Sequence, residues 1–174
     1  VLSLLIVALG LSVSAPDSQI SETCFKDCRV SESDVTMTVR FEGYMPYPYV
    51  DPAGIPTVGY GHVIRPSDKL TYPLLPPDAS GLLMKDMSYA ANGVNKSVKV
   101  PLNKNQFIAL VDFSYNAGIA ALQSSTLLKK VNAQKHDEVY PQFLRWTYAT
   151  ISGMKVQLNG LVVRRKSEAD MYAK

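Results

Sequence analysis

The sequence predicts an α+β fold, mainly helical, built as one unit with a small β region near its start. Three observations point there. From about residue 78 onward, apolar side chains recur at helical spacing between recognisable caps. Residues 43–62 carry instead the Gly, Pro and alternating apolar pattern of strands and turns. At 174 residues with 47% hydrophobic content, the chain can bury a substantial core, and no repeat or low-complexity stretch interrupts it.

In chain order, Val1 to Ala15 form an uncharged apolar run rich in Leu, Val, Ser and Ala. It is shorter than the roughly 20 residues a membrane span requires and close to a signal-peptide core. Val13-Ser14-Ala15 resembles a cleavage site, but Pro16 is a poor residue to follow one. Three readings stay open: a cleaved export signal, a weakly held anchor that later leaves the bilayer, and a hydrophobic first helix packed in the core. Cys24 and Cys28 are the only cysteines. If that stretch is helical, an i, i+4 pair comes near the spacing a disulfide requires, and export would permit the bond. Residues 1–30 thus read as an export or anchor segment with its linker, and residues 31–174 as the catalytic domain.

Ser31 or Ser33 can cap a short helix with Asp34 in its first turn, Val35 and Val39 on its apolar stripe, and Gly43 as its stop. Glu42 then falls in the last turn, where unpaired carbonyls disfavour a carboxylate. Phe41 and the Tyr47-Pro48-Tyr49 segment would exclude water, which pushes the same way. A carboxyl that keeps its proton near neutrality can act as a general acid.

Asp51 opens Asp51-Pro52-Ala53-Gly54, a type I turn signature, where it meets backbone donors and solvent and stays ionised. Thr57-Val58-Gly59-Tyr60-Gly61-His62 then alternates as a strand, with Thr57, Gly59 and Gly61 on one face and Val58, Tyr60 and His62 on the other. The first face has little bulk, so a glycan or a water could approach the backbone at Gly59, with Thr57 as its side-chain partner. A proton-bearing carboxyl and a second group that handles water are what glycosidic hydrolysis requires. Either acid alone has a structural explanation, a helix end or a turn; their joint spacing carries the signal.

The Pro-rich stretch Tyr72 to Pro77 leads into a helix from about Asp78, with Leu83, Met87, Ala90 or Ala91, Val94 and Val98 inward and Gly93 as a weak point. The next helix has the clearest start: Asn103 at the N-cap, Gln106 three residues on, Leu102 and Phe107 as a hydrophobic staple, and Gly118 at its end. Ser124 or Ser125 can cap a short helix through Val131, and Asp137 can start another reaching Arg145-Trp146. Asn159 or Gly160 begins the last, with Leu161, Val162, Ala169 and Tyr172 inward. Trp146 is assigned to core packing ahead of a sugar platform.

Net charge is +3, unevenly spread: residues 1–128 hold nine basic and eleven acidic side chains, residues 129–174 nine and four. A cationic C-terminal part suits an anionic polymer. Nucleic acid would also be attracted, but the chain carries no nucleic-acid motif, so none is expected as a partner. Two cysteines without a His or acid cluster of ligand spacing speak against a metal, and no cofactor is expected. The chain is expected to be a monomer.

Glu42, eight residues, Asp51, five residues, Thr57, and the string ending at His62 resemble the phage-type (T4-like) lysozymes of glycoside hydrolase family 24. The likeness continues in Gln106 to Gly118, Ser125 to Leu128, Arg145-Trp146 and Gly160 to Arg165, and so covers roughly residues 33–174; it is closest to the endolysins with an exported or signal-anchored N-terminus. The resemblance implies a two-lobed lysozyme-like fold with a β-hairpin region, an inter-lobe cleft, and a long helix joining the lobes. It implies hydrolysis of the β-1,4 bond between N-acetylmuramic acid and N-acetylglucosamine in peptidoglycan, with inversion, in host cell lysis. Glu42 would protonate the leaving oxygen, and Asp51 and Thr57 would orient water. Tyr115 and Asn116 would border the cleft, and His62 would pair with Asp86. Arg145, Arg164 and Arg165 are candidates for contacting peptide or glycan carboxylates, with solvated or salt-bridged roles as the alternative. A lytic transglycosylase and a non-catalytic wall-binding module are the competing functions, and the expected location is the periplasm or exterior, with membrane tethering through residues 1–15.

Overall fold

In the computed structural model, residues 23–51, 54–151 and 153–174 are described. The expectations for residues 1–15, and the Pro52-Ala53 centre of the Asp51 turn, lie outside the described residues. Strand β1 (Thr23–Cys24) pairs antiparallel with Leu102–Asn103, and Cys24 and Cys28 are disulfide-bonded with their Cα atoms 5.5 Å apart. The bond does not sit on a helix, as the spacing argument assumed, but closes a turn that passes through Lys26 at φ 69°. Cys28 is buried in the main core, its carbonyl accepts from Asn95 Nδ2 at 2.9 Å, and Lys104 Nζ donates to the Arg29 carbonyl at 2.8 Å. The folded unit therefore takes in residues 23–30, which the sequence assigned to a linker.

The Ser31 N–H and hydroxyl both reach Asp34 Oδ2, at 2.7 and 2.6 Å, and start a 3-10 turn, Glu32–Val35, that runs into α1 (Thr36–Glu42). Gly43, at φ 68°, ends it. The buried positions are Val35 and Thr38, not Val39. Thr38 points inward because its hydroxyl has a partner there, donating to Asp112 Oδ1 at 2.6 Å.

Strands β2 (Met45–Val50), β3 (Pro56–Gly59) and β4 (His62–Val63) form an antiparallel meander. The predicted single strand from Thr57 to His62 is a hairpin instead. Gly59 and Gly61 take φ 67° and 85°, a backbone that favours glycine, and Val58 pairs with His62. Val58, Leu74 and Ala79 form a small core with Tyr44, Tyr60, Ile64, Leu70 and Leu82 around it, which makes the smaller lobe.

Helix α2 (Pro76–Ser97) starts on two prolines, where the missing N–H groups cost nothing, and at about 1.5 Å per residue its 22 residues extend about 33 Å. Ala79 belongs to the small core, while Leu83, Met87, Ala90, Ala91 and Val94 belong to the large one, so α2 joins the two lobes. Gly93 is not a weak point but a contact: a Cβ there would come within 2.5 Å of Ile119 Cδ1. Gly93→Ala gains about 1 kcal/mol of helix propensity but forces Ile119 aside at a typical overpacking cost of about 1–3 kcal/mol. The expected result is a net loss of about 1 kcal/mol, read by denaturant unfolding.

After β5 (Leu102–Asn103), α3 (Lys104–Ala117) begins with the anticipated reciprocal cap. Gln106 N–H donates to Asn103 Oδ1 at 2.8 Å, and Asn103 N–H to Gln106 Oε1 at 3.0 Å. Every residue from Phe107 to Ser114 is buried, because α3 is the axis against which α2 and the last helix pack. Helix α4 (Ile119–Ser124) and α5 (Thr126–Asn132) follow, the latter capped by Ser125, whose hydroxyl accepts from Leu128 N–H at 2.9 Å. The single helix expected from Asp137 to Trp146 is split into a 3-10 turn, His136–Glu138, and α6 (Tyr140–Phe143), which carries Pro141 in its first turn. Trp146 meets Phe113 edge-on at 5.2 Å, consistent with core packing.

Strands β6 (Tyr148–Ile151) and β7 (Met154–Gln157) then make an exposed hairpin that the sequence did not announce. The last helix, α7 (Asn159–Tyr172), buries Arg164, Arg165, Glu168, Ala169 and Tyr172. Val162 faces solvent, against expectation, because the inward stripe is taken by paired charges.

Candidate active site

A groove of about 670 Å³ separates the lobes, with Glu42, Asp51, Ile55 and Gly61 on one side and Asp86, Tyr89, Tyr115 and Asn116 on the other. The end of α1 supplies Glu42, and the β2–β3 turn supplies Asp51. Both carboxylates therefore open on one space.

Glu42 is held by a residue 122 positions away. Arg164 Nη1 donates to its Oε1 at 2.5 Å. The other oxygen, Oε2, is turned to the hairpin tip, where a Cβ on Gly61 would come within 2.8 Å of it. The sequence expected aromatic and helix-end surroundings to keep this acid protonated. The structure supplies a cation that reading left out, and of the expected shield Tyr47 is exposed, 58%, while Phe41 and Tyr49 are half-buried. With Oε1 engaged by a guanidinium, Oε2 is the carboxyl oxygen left facing the hairpin tip.

Asp51 fulfils its turn role: the Gly54 N–H donates to its carbonyl at 2.9 Å and the Ile55 N–H to its Oδ1 at 2.8 Å. Its neighbour in the hairpin, Tyr49, has its hydroxyl pKa raised by burial and by the charges of Glu42 and Asp51. Thr57 is 3% exposed and donates its hydroxyl to the Ile55 carbonyl at 3.0 Å. It sits behind the Asp51 turn and does not line the groove.

Gly59, predicted to leave room for a glycan, is buried with its α-carbon toward Leu74 and Ala79 of the small core. The hairpin glycine that lines the groove is Gly61. Gly61→Ala places a methyl against Glu42 Oε2 and, at 3.1 Å, the Tyr115 hydroxyl, on a backbone at φ 85°. Displacements of about 1 Å at a reacting centre cost roughly 100-fold in rate, so that variant is expected to lose about two orders of magnitude on purified sacculi while circular dichroism stays native.

Tyr115 lines the groove and donates its hydroxyl to the Tyr60 carbonyl at 2.7 Å, tying α3 to the hairpin tip. Burial and the Glu42 charge push its pKa far above the ordinary phenol range. Asn116, also in the wall, accepts from Arg165 Nη2 at 2.7 Å.

Behind the groove lies a charge network that sequence reasoning missed. Arg164 binds Asp112 with two hydrogen bonds, Nε to Oδ2 at 3.0 Å and Nη2 to Oδ1 at 3.1 Å, and stacks over Phe41 at 5.4 Å. It is 3% exposed, so its predicted contact with a substrate carboxylate is corrected to an internal one. Arg165 is likewise buried, on Glu168 Oε1 at 2.8 Å and over the Phe113 ring. Burial raises the Asp112 carboxyl, but the Arg164 charge and several hydrogen bonds outweigh it and hold the group below the ordinary range. Burial drives Glu168 well above its ordinary value, although Arg165 opposes it. The available signal was Asp112 itself, an acid inside the otherwise apolar run Phe107 to Phe113.

His62 Nδ1 and Asp86 Oδ2 meet at 2.6 Å, and Nε2 lies 3.2 Å from Asp68 Oδ2, a second acid the sequence did not single out. This bridge ties the hairpin to α2. Arg145 is not in the groove; it is exposed beside Gln142, Trp146 and Tyr148, in a separate depression near the β6–β7 hairpin.

A helical lobe and a hairpin lobe, with an acid at a helix end and a second on a hairpin turn facing one groove, are the arrangement of a lysozyme-type glycoside hydrolase. The phage lysozyme model matches residues 39–168, and the chain belongs to that family. An endolysin of Acyrthosiphon pisum secondary endosymbiont phage 1 is 32% identical over 145 residues, covering 82% of this chain and 97% of that one. The chain covers about half, 53%, of the endolysin of Bacillus phage B103, which is 36% identical over 82% of this chain. A SAR-endolysin of bacteriophage PS119 is 37% identical over 75% of each. Among solved structures, an endolysin from Escherichia coli O157:H7 phage FAHEc1 has a TM-score of 0.77 at 36% identity, covering 84% of this chain and 94% of that one. The muramidase domain of SpmX from Asticaccaulis excentricus has 0.75 at 33%, covering 84% and 98%.

Proposed function

We propose that this chain is a peptidoglycan hydrolase of host cell lysis that cleaves the β-1,4 bond between N-acetylmuramic acid and N-acetylglucosamine. Glu42 donates its proton from Oε2 to the leaving oxygen. Asp51, on the hairpin turn facing the same groove, takes a proton from the attacking water, and the expected outcome is inversion. Thr57, through its hydroxyl on the Ile55 carbonyl, positions the turn that carries Asp51. The observation that carries this reading is that Glu42 and Asp51 face one groove, with a guanidinium locking the Glu42 oxygen that faces away. Relatives named as endolysins and a muramidase domain support the same substrate.

A lytic transglycosylase would use the muramic acid's own hydroxyl in place of water, and a wall-binding module would release nothing. Mass spectrometry of muropeptides released from sacculi in ¹⁸O-water separates all three. The expected product is a reducing muramic acid end carrying one ¹⁸O; anhydro-muramic ends, or no release, would overturn the proposal. Relatives named SAR-endolysins support export and tethering through residues 1–15 before release. Among the described residues no helix is long and apolar enough to cross a membrane.

A further inference from the structure

A second groove, of about 550 Å³, lies where the described chain begins. The disulfide turn provides Phe25 and Lys26; the end of α2 and the segment after it provide Asn92, Asn95, Lys96 and Lys99. Among the described residues no carboxylate lines it and none of the three ammonium groups is in a salt bridge. Lys26 instead lies 5.1 Å from the centre of the Phe25 ring, which is 42% exposed. The exposed Arg29 and Asp27 of the same turn offset one another. Glu42 and Asp51 belong to the other groove, so this basic face has no part in the chemistry described above.

We propose that Lys26, Lys96 and Lys99, with Phe25, form a docking face for the phosphate headgroups of an anionic bilayer. The position of the N-terminal segment argues for lipid as the occupant. Residues 16–22 are the seven that separate the apolar run ending at Ala15 from Thr23, and they include the acids Asp17 and Glu22. Fully extended, seven residues reach about 25 Å. If residues 1–15 sit in a bilayer, as proposed above, the face carrying Lys26 is held beside its surface. Lysines near an anionic surface attract it over about a Debye length, and an exposed apolar ring such as Phe25 gains by burial at the headgroup–acyl boundary. Asn95 and the Cys24–Cys28 bond fix the turn against α2, so the three charges are presented together without ordering a loop first.

Vesicle flotation of the full chain tests this, comparing wild type with K26Q/K96Q/K99Q on phosphatidylglycerol-containing and pure phosphatidylcholine vesicles. Each lysine is worth about fivefold in affinity, so the triple variant should bind the anionic vesicles on the order of a hundredfold more weakly at low salt. That difference should vanish at high salt, while sacculus hydrolysis and thermal unfolding stay as in wild type. Equal binding of both proteins to anionic vesicles would overturn the proposal. So would a variant that keeps vesicle binding but loses affinity for phosphate-rich wall polymer, which would assign the face to the wall. Binding to neutral vesicles reports on residues 1–15 separately: its absence with a lysine-dependent anionic component intact would remove the tether and leave the docking face.

Discussion

Glu42→Gln should reduce sacculus hydrolysis by at least a thousandfold while leaving the fold and its melting temperature close to wild type. Glutamine keeps an oxygen to accept from Arg164 and the shape that fills the space under Gly61. What it lacks is a proton to give. General acid catalysis contributes typically 10²–10⁴-fold, and a bond whose leaving group is a sugar alkoxide depends on it fully. Glu42→Ala would confuse two effects, since it also leaves Arg164 short of one partner. Turbidity clearing of purified sacculi with calorimetry on the same sample reads both quantities, and wild-type-like clearing by Glu42→Gln would refute the assignment of the acid.

Asp112→Asn should be the most destabilising single exchange near the site. Arg164 is almost fully buried and bound by two Asp112 oxygens. Breaking a buried pair on one side costs about 3–5 kcal/mol, and the Glu42 carboxylate offsets only part of the charge left on Arg164. Activity should fall as well, since Arg164 fixes the orientation of Glu42. The effect carries a pH signature. Asp112 is held below its ordinary value in the folded protein, so the native state binds fewer protons than the unfolded chain as pH drops into the carboxylate range. Its contribution is therefore complete above about pH 4 and lost as pH falls through the lowered value. Urea unfolding at pH 7 and at pH 3 should show a large gap between wild type and variant at the first and a smaller one at the second; a gap that widens in acid would contradict the pairing.

Local signals carried much of this architecture. Asn103 and Gln106 announce α3 because a cap is written in adjacent residues, and Gly43 ends α1 for the same reason. Glu42 and Asp51 were legible from their spacing, since a helix end followed by one hairpin turn brings them to one groove. What was not legible depended on partners distant in sequence. Arg164 looks like a surface cation until Asp112 and Glu42, 52 and 122 residues away, are seen around it. The excess of positive charge after residue 128 was likewise read as surface, although Arg164 and Arg165 are internal and Lys130, Lys135 and Lys166 pair with Glu138 or Asp170. Thr57-Val58-Gly59-Tyr60-Gly61-His62 satisfies a period-two pattern equally well as a strand or a hairpin, and only the positive φ of its glycines decides. The β6–β7 hairpin gave no alternation to read because both of its faces are exposed.

The most direct measurement is a crystal structure of Glu42→Gln with a peptidoglycan oligosaccharide bound. The account expects the scissile glycosidic oxygen within about 3 Å of the residue 42 side chain, on the side away from Arg164, with Asp51 and a water on the opposite face of the muramic acid ring. A glycan seated in the depression beside Arg145 and Trp146, or one whose glycosidic oxygen lies out of reach of residue 42, would contradict it.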